Sequence, residues 1–166
     1  MRIERSRQGK AISETQIPTA IKAGPMDAIE KLERFFAAID RNDMDAITTD
    51  FSPDIVRVEP EDFPTAGTYR GVAAVQAHVK KGRESWAEGT CTPEKYLANG
   101  NKVVVYLHAW VRLKDSSEWI GGQFADGFVF CDGKITEYLS FGERVDALAW
   151  ADIDPEQPIE FAVIAH

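Results

Sequence analysis

The chain has 166 residues, a length at which one domain with a sizeable core is the ordinary expectation. Hydrophobic residues make up 44% and charged residues 28%, which excludes wholesale disorder, and the formal net charge of −8 turns polyanions away, so neither nucleic acid nor an anionic membrane is an expected partner. No apolar run approaches the ~18 residues of a spanning helix. The start MRIERSRQGKAISETQ lacks the apolar stretch of a secretory signal. Cys91 and Cys131 make neither a metal spacing nor a disulfide framework, so a reduced, cytoplasmic setting is expected.

Residues 1–25 carry Arg2, Arg5, Arg7, Lys10 and Lys22 against Glu4 and Glu14, with few large apolar side chains, and read as a basic arm. Residues 26–150 read as one domain. Residues 151–166 read as an acidic tail in which FAVIA can add a short strand. Pro25 suits the first turn of a helix, and Ile29, Leu32, Phe35, Phe36 and Ile39 follow at helical spacing. RNDMDAITTDF predicts a turn and a short second helix, with Asp43 as N-cap, Phe51 closing it and Pro53 interrupting. DIVRVEP alternates: Val56 and Val58 lie on one face, Ile55, Arg57 and Glu59 on the other, in a strand ended by Pro60. EDFPTAGTYRG reads as a loop. GVAAVQAHVKKGRESWA predicts a third helix with Val72, Val75, Val79 and Trp86 near one side and Gly82 as its weak point. Four strands follow, TPEKYLA, KVVVYLHAWVRL, WIGGQFADGFVF and KITEYLSF, joined by the turns ANGN, KDSS and CDG, and ERVDALAWA ends the domain as a short helix. Runs of helix before runs of strand imply an α+β fold, three N-terminal helices against a mostly antiparallel sheet.

The strand KVVVYLHAWVRL has two distinct faces. Val103, Val105, Leu107, Ala109 and Val111 are purely aliphatic, whereas Tyr106, His108, Trp110 and Arg112 bring aromatic and cationic groups to the other face. That composition is enriched in interfaces, so a homodimer through this face is expected, against the plainer reading of a solvated face. Walker, dinucleotide and G-x-S-x-G motifs are absent, and His78, His108 and His166 have no metal-ligand spacing, so no metal and no cofactor is expected.

The segments LERFFAAIDRNDMDAITTDFSPDIVRVEP, GTYRGVAAVQAHV and ADGFVFCDGKITEYLSFGE, in that order and spacing, resemble the nuclear transport factor 2-like superfamily, and within it the SnoaL-like and ketosteroid isomerase-like branches. The resemblance implies a cone-shaped α+β barrel whose curved sheet wraps the helices around an apolar pocket, and a dimer through the sheet's outer face. It implies a general base just before the strand-ending proline, here Glu59, and a second carboxylic acid, here Asp126, kept protonated to donate to an oxyanion. A tyrosine of the first helix is the other donor in ketosteroid isomerases. Phe35 stands there without a hydroxyl, which counts against steroid isomerase activity. An aromatic of the third helix falls at His78. The Asp-Arg-Asp set of epoxide hydrolases with this fold finds no place in the sequence. The expected lining is Phe35, Ile39, Trp86, Leu107, Phe124, Phe128 and Phe141.

Elementary chemistry bears on the same residues. Burial in an apolar cone disfavours an ionised Glu59 and moves its pKa toward the range of a useful base; facing water beside Glu61 and Asp62, it would only cap a loop. Asp126 shares a strand face with Phe124 and Phe128, where an unpaired charge is costly, so it is neutral, paired with an arginine, or functional. His78 is either a proton shuttle or a surface helix residue. Two functions follow. One is a cofactor-independent enzyme that moves a proton on a small, largely apolar carbonyl compound, as an isomerase, dehydratase or aldol-type cyclase. The other is a non-catalytic ligand-binding or dimeric scaffold module.

Overall fold

In a computed structural model the described residues are 24–156 and 160–162. The basic arm lies outside them apart from its last two residues. Helix α1 (Pro25–Asp40) begins with Pro25 in its first turn and buries Ile29, Leu32, Phe35, Phe36 and Ile39, the residues its periodicity marked. It ends at Asn42, held at φ 59°, where Asn42 N–H donates to the Ile39 carbonyl at 3.0 Å and Asp43 N–H to the Ala38 carbonyl at 2.8 Å. Arg83 donates to the carbonyls of Ile39 at 2.8 Å and Asp40 at 2.9 Å, and so ties α1 to the next helix. The short second helix is a single 3-10 turn, Ala46–Thr48, and the Asp43 carboxylate accepts from Ala46 N–H at 3.1 Å beside it.

Strand β1 (Phe51–Glu59) starts earlier than the sequence suggests. Phe51 opens it rather than closing a helix, and Pro53 sits where the ladder to its neighbour is irregular, so the missing N–H leaves no pair unmade. The expected loop holds a short strand, β2 (Gly67–Arg70), paired antiparallel with β1. Helix α2 (Val72–Glu84) stops before Trp86, which instead opens β3 (Trp86–Asn99). Strands β4 (Lys102–Leu113), β5 (Trp119–Cys131) and β6 (Lys134–Phe141), and helix α3 (Arg144–Trp150), fall where the sequence puts them. Strand β7 (Glu160–Ala162) pairs antiparallel with β3.

The fold is α+β. Its one sheet has the order β2-β1-β6-β5-β4-β3-β7, antiparallel except at β1–β6. One face packs on α1 in a core that includes Phe35, Phe36, Val103, Val105, Leu107 and Phe128. The other carries a smaller cluster in which Leu97, Val104 and Ala125 meet Ala147 and Leu148 of α3. Gly127 lets α3 press onto this face, because a Cβ there would stand 2.6 Å from the Trp150 ring. Among the described residues no helix is long and apolar enough to cross a membrane.

Candidate active site

Sheet register assembles the site. Arg57 of β1 lies opposite Tyr138 of β6; on β5, Phe128 lies opposite Tyr138 and Asp126 opposite Ser140. On β1 it is Ile55, Arg57 and Glu59 that are buried, while Val56 and Val58 turn partly outward. The face that bears Arg57 and Glu59 is thus the inner one. Arg57, Glu59, Asp126, Tyr138 and Ser140 line one cavity of about 640 Å³. Its apolar walls include Ile39, Phe63, Val79, Trp86, Val111, Leu113 and Phe124. Gly121 also lines it, with β4 so close that a Cβ would stand 1.9 Å from the Ala109 carbonyl oxygen.

The polar end of the cavity is a connected network. His78 Nε2 lies 2.7 Å from Glu59 Oε2, the Thr65 hydroxyl donates to that oxygen at 2.9 Å, and Arg57 Nη2 stands 3.8 Å from it. The same Arg57 nitrogen donates to Ser140 Oγ at 2.8 Å, and Ser140 donates to Asp126 Oδ1 at 2.6 Å. Arg57 stacks on Tyr138, 3.8 Å from its ring centroid, and donates to the Val58 carbonyl at 2.9 Å. The ring of Tyr69 stacks on His78 at 4.0 Å. Arg57 Nε and His78 Nδ1 are buried without partners.

Burial pushes Glu59 upward, but bonds from His78 and Thr65 and the charge of Arg57 outweigh it and hold the carboxyl below its ordinary range. Asp126, 2% exposed, goes the other way: burial raises its pKa to about 6, against the opposing pull of Arg57 and of bonds from Ser140 and Tyr138. The rise expected for Glu59 on burial is therefore not found, because its partners outweigh desolvation, and Asp126 is the acid with the raised pKa. Glu59 is the firmly ionised acid, and Asp126 is the one that exchanges a proton near neutral pH. Asp126 is also an acceptor paired through Ser140 with an arginine, not a free protonated donor.

The structure brings Glu59, His78 and Asp126 around one cavity, with Ile39, Trp86 and Phe124 in its wall. Phe35, Leu107 and Phe128 lie instead in the packed core; Phe35 is ringed by Phe36, Phe51, Phe128 and Tyr138. Phe141 is on the opposite face of the sheet, against Trp150, because Tyr138 and Ser140 occupy the inward positions of β6. Arg57, Ser140, Thr65 and Tyr138 were not anticipated. Arg57 alone had a signal, its position two residues before Glu59 on the same strand face. With it, Glu59, Arg57 and Asp126 form an acid–arginine–acid grouping on one cavity, with a glutamate at 59 where an Asp-Arg-Asp set asks for aspartate.

On the outer face, His108 and Trp110 are exposed, Tyr106 is half-covered with Arg144 4.4 Å over its ring, and Arg112 pairs with Glu88 at 3.5 Å. Among the described residues no group of three or more His, Cys, Asp or Glu is placed to hold a metal ion.

Residues 32–138 match the family model of the SnoaL-like domain. No curated protein matches the chain. Among solved structures, an NTF2-like protein of Burkholderia xenovorans is similar at 27% identity, TM-score 0.60, over 77% of this chain and 97% of that one. TerC, co-crystallised with polyporic acid, is similar at 20% identity, TM-score 0.63, over 76% and 98%. A putative polyketide cyclase of Sinorhizobium meliloti is similar at 21% identity, TM-score 0.56, over 67% and 93%.

Proposed function

Since this chain belongs to the SnoaL-like domain family, we propose that its cavity binds a small, largely apolar carbonyl compound and moves a proton within it, without metal or organic cofactor. The observation that carries this reading is the convergence of two buried carboxyls of opposite pKa tendency and one buried guanidinium on a single apolar cavity. Asp126 takes a proton from the carbon next to the carbonyl. The electron pair moves to the carbonyl oxygen, and the guanidinium of Arg57 offsets the charge that develops there. Asp126 then gives the proton to another carbon, which isomerises the compound, to a β-hydroxyl whose C–O bond breaks as water leaves, or to the alkoxide formed when the enolate carbon bonds to a second carbonyl carbon and closes a ring. A base with a pKa near the working pH is the efficient one, which favours Asp126 over the more acidic Glu59. Glu59 balances Arg57 and orients His78.

The test is exchange of α-protons in D2O, followed by proton NMR, across a panel of enolisable ketones and aldehydes. A compound of the right class loses its α-proton signal with the wild type, and Asp126→Asn slows this at least ~100-fold. Full exchange by Asp126→Asn overturns the assignment of the base. Saturable binding with no exchange by the wild type turns the reading to a non-catalytic ligand-binding module, which Phe35, without a hydroxyl and packed in the core, also favours.

The arginine linked to both acids favours a second reading, water addition to a small apolar epoxide, with one acid taking a proton from water and the other giving one to the opening oxygen. Mass spectrometry of products made in 18O-labelled water separates this, which places label in a new hydroxyl group of a diol, from proton shuttling, which adds no water to the isomerised product.

A further inference from the structure

We propose that Thr65, in the connection between β1 and β2, is a positioning residue that fixes His78 and Glu59 for the reaction; the inference rests on the proton-transfer reading above. Thr65 is engaged at both of its polar ends. Its hydroxyl donates to Glu59 Oε2 at 2.9 Å, the oxygen that also meets His78 Nε2 at 2.7 Å. Its carbonyl accepts from the Tyr69 hydroxyl at 2.9 Å and lies 3.2 Å from His78 Nε2. A carbonyl can only accept, and an ionised carboxylate can only accept, so Nε2 carries a hydrogen, and of the two tautomers only the one with its hydrogen on Nε2 fits. The face of the ring is closed by Tyr69, with centroids 4.0 Å apart and planes at 28°. His78 Nδ1 is buried without a partner, so that edge offers no bond to orient the ring. Orientation therefore depends on the Nε2 edge and the stacked face, and Thr65 serves both.

Four groups face or influence Glu59 from the packed elements: Arg57 on its own strand, His78 on α2, Thr65 on the connection and Asp126 across the sheet. Of these only Thr65 is neutral at every pH, so its hydroxyl can be removed without changing the formal charge of the site.

Thr65→Val removes the hydroxyl and keeps the shape and the carbonyl. Thr65→Ser restores the hydroxyl, and Tyr69→Phe removes the bond to the Thr65 carbonyl while keeping the ring. Carbon-13 NMR of the Glu59 carboxyl and nitrogen-15 NMR of the His78 imidazole are read on the full ligand-free chain, alongside kcat and KM for whichever compound exchanges. In Thr65→Val the Glu59 midpoint moves up, His78 loses its fixed tautomer signature, and kcat falls about tenfold with KM nearly unchanged. Thr65→Ser returns all three. Should Thr65→Val not fold, Tyr69→Phe still loosens the His78 signature if the placement is right. An unchanged Glu59 midpoint together with an unchanged His78 signature overturns the proposal. The NMR readouts need no substrate, so the expected shifts in a chain without exchange activity count against the proton-transfer reading and leave the placement of His78 intact.

Discussion

Arg57 and Asp126 are joined through a single hydroxyl: Ser140 accepts from Arg57 at 2.8 Å and donates to Asp126 at 2.6 Å. The buried acid thus feels the arginine both as a charge across the site and through a bond that passes along one oxygen. Ser140→Ala cuts that link and leaves both neighbours with one fewer buried partner. It is expected to cost about 1–3 kcal/mol of stability, measured by urea unfolding, and to move Asp126 further up, measured as an upward shift in the pH at which exchange activity appears.

Asp126 gives stability a pH signature. Its folded pKa of about 6 lies above the ordinary value of 3.8, so the folded state holds the proton more tightly than the unfolded state does. The contribution is fully present below 3.8 and is lost as pH rises to about 6, an effect of the order of 3 kcal/mol. Glu59, lowered, acts in the opposite sense: its contribution is present above 4.5 and lost on acidification. Asp126→Asn removes only the first effect. The stability difference between this variant and the wild type should grow in the variant's favour between pH 4 and pH 6 and then level off. Unfolding curves at four pH values would expose a flat difference, which the assignment does not survive.

Arg57 is a buried arginine set between two buried acids. Arg57→Met leaves Glu59 and Asp126 without it in a buried setting and removes the stack on Tyr138. The loss should reach about 3–5 kcal/mol and should be greater at pH 8 than at pH 5, because Asp126 gives up its proton between the two and joins the ionised Glu59. Arg57→Lys keeps the charge but neither the planar fork nor the stack, and should fall between the two.

On the outer face, Trp110 and Trp119 stack with centroids 6.2 Å apart and remain 50% and 41% exposed. Tyr106 is half-covered by α3 and Arg112 is engaged by Glu88, so a dimer contact through this face centres on the tryptophans and His108. Sedimentation of the wild type is expected to give a dimer, and Trp110→Glu a monomer; a monomeric wild type would end the idea.

Much of the fold was legible because long alternating strands announce themselves. β4 and β6 run over the very residues that the pattern marks, and α1 buries its whole apolar stripe. Misreadings fell where a residue type has two uses. Pro53 reads as a breaker and is a strand residue at a ladder irregularity, and Trp86 fits a helix face but begins a strand after the helix has ended. In the site, Glu59 and Asp126 stood out because a proline and two phenylalanines flanked them. Ser140 had no such neighbourhood: its role exists only through the register of β5 and β6, which a linear pattern does not contain. Alternation told the two faces of β1 apart without telling which was inside; the structure turns Ile55, Arg57 and Glu59 inward.

The contact of Gly121 with the Ala109 carbonyl bears on how this pocket can change. Across that stretch the cavity is bounded by main chain, so its width there is a property of strand spacing and no side-chain exchange can widen it. Even the smallest addition at position 121 would drive two strands apart. Broadening of the pocket, by selection or by engineering, is therefore confined to side chains away from that stretch, such as Val79 on α2 and Trp86 and Leu113, which pair at the ends of β3 and β4.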